Sequence, residues 1–146
     1  MMSARGTYMG ALFTVLSGIA NFQTTGRRLV LPRNMSDVAK PALFMVEDDE
    51  EYAYAGEQLQ KVTLRADAWI YTASGLDPNA TPSTELDTIL DALDAAMKPA
   101  GADIATQRFT LGGLVYHCRI QGRVFKDPGD LSGLGLAIVP IALLVP

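Results

Sequence analysis

"QKVTLRADAWIY", residues 60–71, decides the fold class of this chain. Val62, Leu64, Ala66, Ala68 and Ile70 fall on one side, and Thr63, Arg65, Asp67, Trp69 and Tyr71 on the other. A period of two is the signature of a strand with one buried and one wet face. The chain therefore carries a sheet. Trp69 and Tyr71 stand on the polar side, and large aromatics placed outward are candidate interface anchors.

Helices lie on either side of this strand in sequence. Met9, Leu12, Phe13, Leu16 and Ile19 recur at spacings of three and four, which predicts a helix over 3–20 with Ser3 capping its start and Gly18 or Asn21 marking its end. The same spacing in Leu86, Ile89, Leu90, Leu93 and Met97 predicts a second helix. Pro82 and Ser83 or Thr84 start it, Glu85 and Asp87 suit its positive end, and Pro99 and Gly101 stop it.

The remaining segments read as strands and connections. "RRLVL" (27–31) is a short strand in a polar stretch broken by Pro32 and Pro41, and "ALFMV" (42–46) is a compact apolar strand. "EDDEE" (47–51) reads as a solvated turn, because five adjacent carboxylates repel one another. "TASGLDPNATP" (72–82) is a loop by composition. "FTLGGLVYHCRIQGRVF" (109–125) reads as one long strand bent at Gly112–Gly113, "KDPGDLSGLG" (126–135) as its connection, and "LAIVPIALLV" (136–145) as the last strand. The fold class is α+β, a mostly antiparallel sheet flanked by two helices, with residues 1–146 as one domain.

The last strand is apolar on both faces. Leu136, Ile138, Ala142 and Leu144 alternate with Ala137, Val139, Ile141, Leu143 and Val145, as in a strand buried on both sides. Pro140 lacks an N–H, which places it on an edge or at a bulge. Two arrangements satisfy both facts: an edge strand covered by a neighbouring subunit or the first helix, or a bulged inner strand. Ile138 and Pro140 are on that account candidate interface residues.

"LVYHCRIQG" (114–122) holds the only histidine and the only cysteine. A nucleophile–base pair requires converging side chains, whereas adjacent strand residues point to opposite faces. Cys118 is thus a small core residue beside Tyr116, Ile120 and Val124, and His117, Arg119, Gln121 and Arg123, with Val115, line the other face. That basic row stands out in a chain of net charge −4, and makes those four residues candidates for contact with an acidic partner or with DNA phosphates.

Other chemistry finds little support. The net charge has the wrong sign for general nucleic-acid binding, and one cysteine forms no internal disulfide, as in a reducing compartment. Asp87, Asp91 and Asp94 share a helix side and read as its solvated face. "EDDEE" lacks the ligand spacing and central glycine of a calcium loop, and "GDLSGLG" (129–135) lacks the lysine of a phosphate cradle. The stretch 5–20 has the outline of an export signal but is read as part of the folded chain, and the apolar C-terminal run is too short to span a bilayer. The sequence assigns no catalytic residue, cofactor site or metal ligand, so the chain is expected not to be an enzyme.

Three stretches carry a likeness: "KPALFMVEDDEEY" (40–52), "ELDTILDALDAAM" (85–97) and "FTLGGLVYHCRIQGRVFKDPGDLSGLGLAIVPIALLV" (109–145). In that order they resemble the tail terminator, or tail completion, proteins among the minor tail proteins of long-tailed bacteriophages (siphophages). Most specific are "KPALF", the strand pattern LGG–H–RI–G and the ending DPG–L–G–A–VPI. The resemblance implies a virion structural protein without cofactor or catalytic residues, assembled as a homo-oligomeric, hexameric ring. Such a ring sits on the last ring of the tail tube protein, at the head-proximal end, stops polymerisation and offers a surface to the head–tail connector protein. Assembly in the host cytoplasm and passage of genomic DNA through the channel follow, with no membrane partner. The row of Arg119 and Arg123 is then a candidate channel lining. A head-closure or head–tail joining protein shares the size and setting and is the alternative reading. A small enzyme or binding domain would instead show a deep pocket with converging polar groups.

Overall fold

Alternation along one strand sorts the whole chain into a helix-covered side and an open side. In a computed structural model, which describes residues 3–97, 111 and 114–146, Leu64, Ala66, Ala68 and Ile70 are all buried on the same face. They belong to β3 (Gln58–Ala73). β3 pairs antiparallel with β2 (Ala42–Ala55) on one side and with β6 (Leu134–Val145) on the other. A parallel β1 (Thr24–Gly26) lies outside β2, and two short strands, β4 (His117–Ile120) and β5 (Phe125–Asp127), lie outside β6. The described residues thus form a six-stranded, mostly antiparallel sheet with two helices: an α+β fold.

Both helices pack on one face. α1 (Ala4–Ser17) begins where the Ser3 hydroxyl accepts the Gly6 N–H at 3.0 Å, and it closes at Gly18, as its sequence predicts. Met9, Leu12 and Leu16 are buried against Leu43 and Met45 of β2 and the inner residues of β3 and β6. α2 (Thr84–Ala96) buries Leu86, Ile89 and Leu93 in the same core. Its N-terminal Ser83 makes no capping bond, so Glu85 and Asp87 in the first turn are left to complement the positive end. The predicted stop at Pro99 and Gly101 lies outside the described residues.

A second, smaller core sits on the opposite face at one end of the sheet. Met35 and its neighbours Leu29, Val30 and Val38 fold over Ala42, Phe44 and Tyr71. Here "RRLVL" is not a strand, and the strand is Thr24–Gly26 just before it. The reason is that Leu29 and Val30 are used as a lid: the Val30 carbonyl accepts the Tyr71 hydroxyl at 2.7 Å.

"EDDEE" is also not a turn. It continues β2, which runs on through Ala55 to a two-residue turn at Gly56–Glu57. Gly56, with φ +62, occupies the position where such hairpins require a positive φ. Between Glu47↔Ala66 and Glu50↔Leu64 the register shifts, so that Asp48 and Asp49 oppose the single Arg65. That bulge, with the cations described below, is how five carboxylates stay in a ladder.

Of the long strand expected over 109–125, the described residues form two short strands. Gly122, at φ +120, ends β4 before β5 begins, and the Gly112–Gly113 bend lies outside the described residues. The break explains Pro140. Its carbonyl accepts the Gln121 N–H at 3.0 Å, so its missing N–H also points to the β4–β5 side, at the gap between them. The β3 ladder is unshifted, so β6 is neither the edge strand nor the bulged strand that Pro140 suggested but a regular inner strand that keeps its proline.

The β5–β6 turn is tightly packed at Gly129, where φ is +80 and a Cβ would lie 2.5 Å from the Leu134 backbone and 2.6 Å from Ser74 Oγ. Gly56 has a similar φ and open space around it. Gly56→Ala is expected to cost about 1–2 kcal/mol, the strain of a left-handed residue alone, and Gly129→Ala clearly more. Urea denaturation of both variants checks this; equal losses would mean the β5–β6 turn is not packed as described.

Candidate functional site

The face away from the helices is only partly covered, and most of the candidate residues gather there. Cross-strand register arranges it in rows. Phe44, Trp69, Ile138 and Phe125 form one row, Val46, Asp67 and Pro140 the next, then Arg65, Ala142 and Arg119, and last Thr63, Leu144 and His117. Phe44 lies under the small core, but Trp69, Ile138, Pro140 and Leu144 are half-buried and Phe125 is 52% exposed. An apolar row thus ends in an uncovered aromatic ring, with cations two rows away.

Tyr71 corrects the expectation of an outward anchor. It has no exposed surface, its ring meets Phe44 edge-on at 6.0 Å, and burial pushes its hydroxyl up to about 12. Trp69 is the aromatic of that pair which reaches the open surface. Val115 is likewise misplaced by strict alternation: it is buried with Cys118, while Tyr116 is exposed. The alternation slips at Tyr116–His117, because Val115 lies outside the regular ladder that starts at His117.

His117 and Cys118 diverge as the strand geometry requires. Cys118 sits in the helix-side core, Sγ 3.7 Å from Met97 Sδ, and burial raises its thiol to about 12. It is a packed, un-ionised side chain. His117 is half-buried on the open face with Nδ1 unpartnered. Burial first, then Arg119 and Lys61, hold its imidazole below the ordinary 6.5. Arg119 is exposed and donates to Gln121 at 3.1 Å, and Arg123 lies past the end of β4, exposed, so the four residues do not form one continuous strand row.

Sequence reasoning missed a second surface, the β2–β3 ribbon. Its carboxylates draw cations from three places in the chain. Arg5 of α1 contacts Glu50 at 2.5 Å, Arg27 contacts Glu47 at 3.1 Å, and Arg65 bridges Asp49 and Glu51 at 3.1 and 2.9 Å. Each exposed pair contributes little alone, but together they relieve the repulsion. Asp67 lies beside this cluster, and burial, then Asp48 and Asp49, raise its carboxyl above the usual range. Further out, Tyr52, Tyr54 and Leu59 are 46%, 58% and 46% exposed. The signal was present in "YAYAGEQLQ" (52–60), whose alternating tyrosines precede a glycine turn.

Clefts exist but do not gather chemistry. One of about 430 Å³ lies between the end of α1 and α2, lined by Ala20, Gln23, Pro41, Glu85 and Ile89. Another of about 320 Å³ is bordered by Arg33, Lys40 and Ser132, and Lys40 is occupied with the Met35 and Val38 carbonyls. Among the described residues no three His, Cys, Asp or Glu side chains are grouped to hold a metal, and no helix is long and apolar enough to cross a membrane. Asp87, from the acidic helix side, pairs with Lys126. No protein-family model and no curated protein matches the chain.

Two outcomes test this description. His117 is the only histidine, and its folded form binds a proton less readily than its unfolded form. Its neutral form supports full stability above pH 6.5, and stability is lost as pH falls below 6.5 toward the lower folded value. The urea midpoint is expected to drop between pH 7.5 and 5.5, and His117→Gln to remove most of that drop. Tyr71→Phe, which removes the partner of the part-buried Val30 carbonyl, is expected to cost about 1 kcal/mol by urea denaturation. An outward anchor would leave the stability of the single chain unchanged.

Proposed function

We propose that this chain is a structural virion protein of the tail-terminator kind. In this reading, copies form a hexameric ring on the last ring of a phage tail tube, end its polymerisation and present a surface to the head–tail connector protein. The ring would be built in the host cytoplasm, remain at the head-proximal end of the tail, and let genomic DNA pass through its channel. The reading involves no catalytic step and no cofactor.

The observation that carries it is the division of the sheet into a finished and an unfinished face. The helix side is closed by α1 and α2, whereas the open side presents Trp69, Ile138 and Phe125 beside exposed arginines, and a ribbon with two exposed tyrosines projects from the same sheet. Aromatic and arginine side chains together are characteristic of protein-contact surfaces. Two of the three stretches that resemble tail terminators contribute to the sheet: "KPALF" opens β2, the "H–RI" pattern is β4, and the DPG and VPI segments belong to the β5–β6 hairpin, while "ELDTILDALDAAM" is α2.

Deleting the gene from a phage that carries it, and imaging the lysate, tests the reading. Abnormally long, headless tubes are expected. Tails of normal length that fail to join heads would assign the protein to head closure instead, and normal infectious particles would end the virion reading.

A further inference from the structure

We propose that the β2–β3 ribbon of one copy docks on the open sheet face of a second copy, with Tyr52, Tyr54 and Leu59 over the row of Trp69, Ile138 and Phe125. Glu57 at the ribbon's turn then meets the cations Arg119 and Arg123. The proposal deepens the ring reading, on which it rests only for closure of the assembly, and names the two surfaces that would join its subunits.

The ribbon is short of support. β6 reaches β3 as far as Val62↔Val145, and from Ala53↔Lys61 to Ala55↔Gln58 only two strands pair. A two-stranded hairpin alone is marginal in water. One side of it is nonetheless apolar. Tyr52 opposes Val62 and Tyr54 opposes Leu59 on the side of the sheet that α1 occupies further in, where Arg5 reaches the Tyr52 hydroxyl. Beyond Arg5, Tyr54 and Leu59 are exposed. Side chains of this kind, on a protruding ribbon, fit an apolar surface on another molecule.

The same chain supplies that surface. Trp69, Ile138 and Phe125 are register neighbours, and Phe125 at the end of the row is 52% exposed. Charge points to the same match. Glu57, at the ribbon's turn, makes no ion pair among the described residues, and neither do Arg119 and Arg123 on the receiving face. On the receiving face Arg119 of β4 and Asp67 of β3 lie on opposite sides of β6, so the β4–β5 side of that face is where the acidic tip of a ribbon meets cations.

Within one copy the two surfaces cannot meet. Leu59 and Trp69 lie on the same strand, ten residues apart, which at about 3.3 Å per residue is roughly 33 Å. A paired strand does not fold back on itself, so the contact joins different copies. Because ribbon and receiving face are different surfaces, the contact is head-to-tail and generates a ring or an open chain. This places Arg119 and Arg123 in a subunit contact rather than in a channel lining.

Disulfide trapping tests the contact. In a Cys118→Ala background, Tyr54→Cys and Phe125→Cys are made as separate full-length proteins; both positions are exposed, and unchanged far-UV circular dichroism checks folding. After mixing and mild oxidation, the expected result is a two-chain product in the mixture and none from either protein alone. A product from Tyr54→Cys alone would mean ribbon meets ribbon, and no product anywhere would mean the surfaces do not touch; either overturns the proposal. Tyr54→Glu with Leu59→Glu is expected to weaken self-association by on the order of tenfold or more in sedimentation. Undiminished rings in that variant would sink the contact and leave the tail reading standing. A trapped contact in a protein whose deletion leaves phage particles normal would do the reverse.

Discussion

The ladder between β3 and β6 is the constraint on which the rest depends. It runs without a shift from Val62↔Val145 to Ala73↔Leu134. An unbroken antiparallel register fixes which residues share a face, because a slip of one would turn every inner side chain outward. Leu64, Ala66, Ala68 and Ile70 are thereby set beside Val139, Ile141 and Leu143, and this surface is what α1 and α2 cover. The same register places Trp69 beside Ile138 and Asp67 beside Pro140 on the open side. Pro140 survives at the centre of this ladder because its missing donor faces the β4–β5 gap. The price of that gap is a sheet edge made of two short strands rather than one long one.

The acidic strand shows how a local conflict is resolved at a distance. Five consecutive carboxylates oppose any regular element when taken alone. In the fold, Arg5 comes from a helix 45 residues away from Glu50, Arg27 from the segment after β1, and Arg65 from the partner strand at the bulge. None of these pairings is local in sequence. Glu50 and Tyr52 share Arg5, so the first turn of α1 is tied to the ribbon and the ribbon leaves the sheet in a defined direction. The charge run also keeps the outer edge of β2, which β1 covers only as far as Phe44, from pairing with another acidic copy.

What was legible in the sequence follows from this distinction. Both helices and the β3 and β6 strands announce themselves through periodicity, a property of neighbouring residues that survives in the fold. The α+β class follows from those four elements. The elements that were misread depend on distant partners: β1 pairs with a strand sixteen residues later, "RRLVL" becomes a lid because Tyr71 needs a hydrogen-bond acceptor, and "EDDEE" needs its arginines. The open face was half legible. Alternation put Trp69, Arg119 and Ile138 on the open face, but it failed for Tyr71, since the small core that buries it comes from a segment with no periodic signal. Phe125 was hidden inside a strand drawn too long, and the glycine that ends that strand acts through its φ, which composition does not reveal.

The distribution of exposed side chains bears on what the protein does. Its lone thiol is packed against Met97, and its lone imidazole lies on the opposite side of the strand, so these two groups are kept from acting together. Aromatic and charged side chains are instead spread across two broad surfaces that lie on one continuous pair of strands. The ribbon and the sheet face are joined through β3, which runs through both. A head-to-tail contact between them would repeat by one rotation from copy to copy, giving a ring where that rotation closes and an open chain where it does not. The twist of β3, which aims the ribbon relative to the sheet face, would then decide between the two.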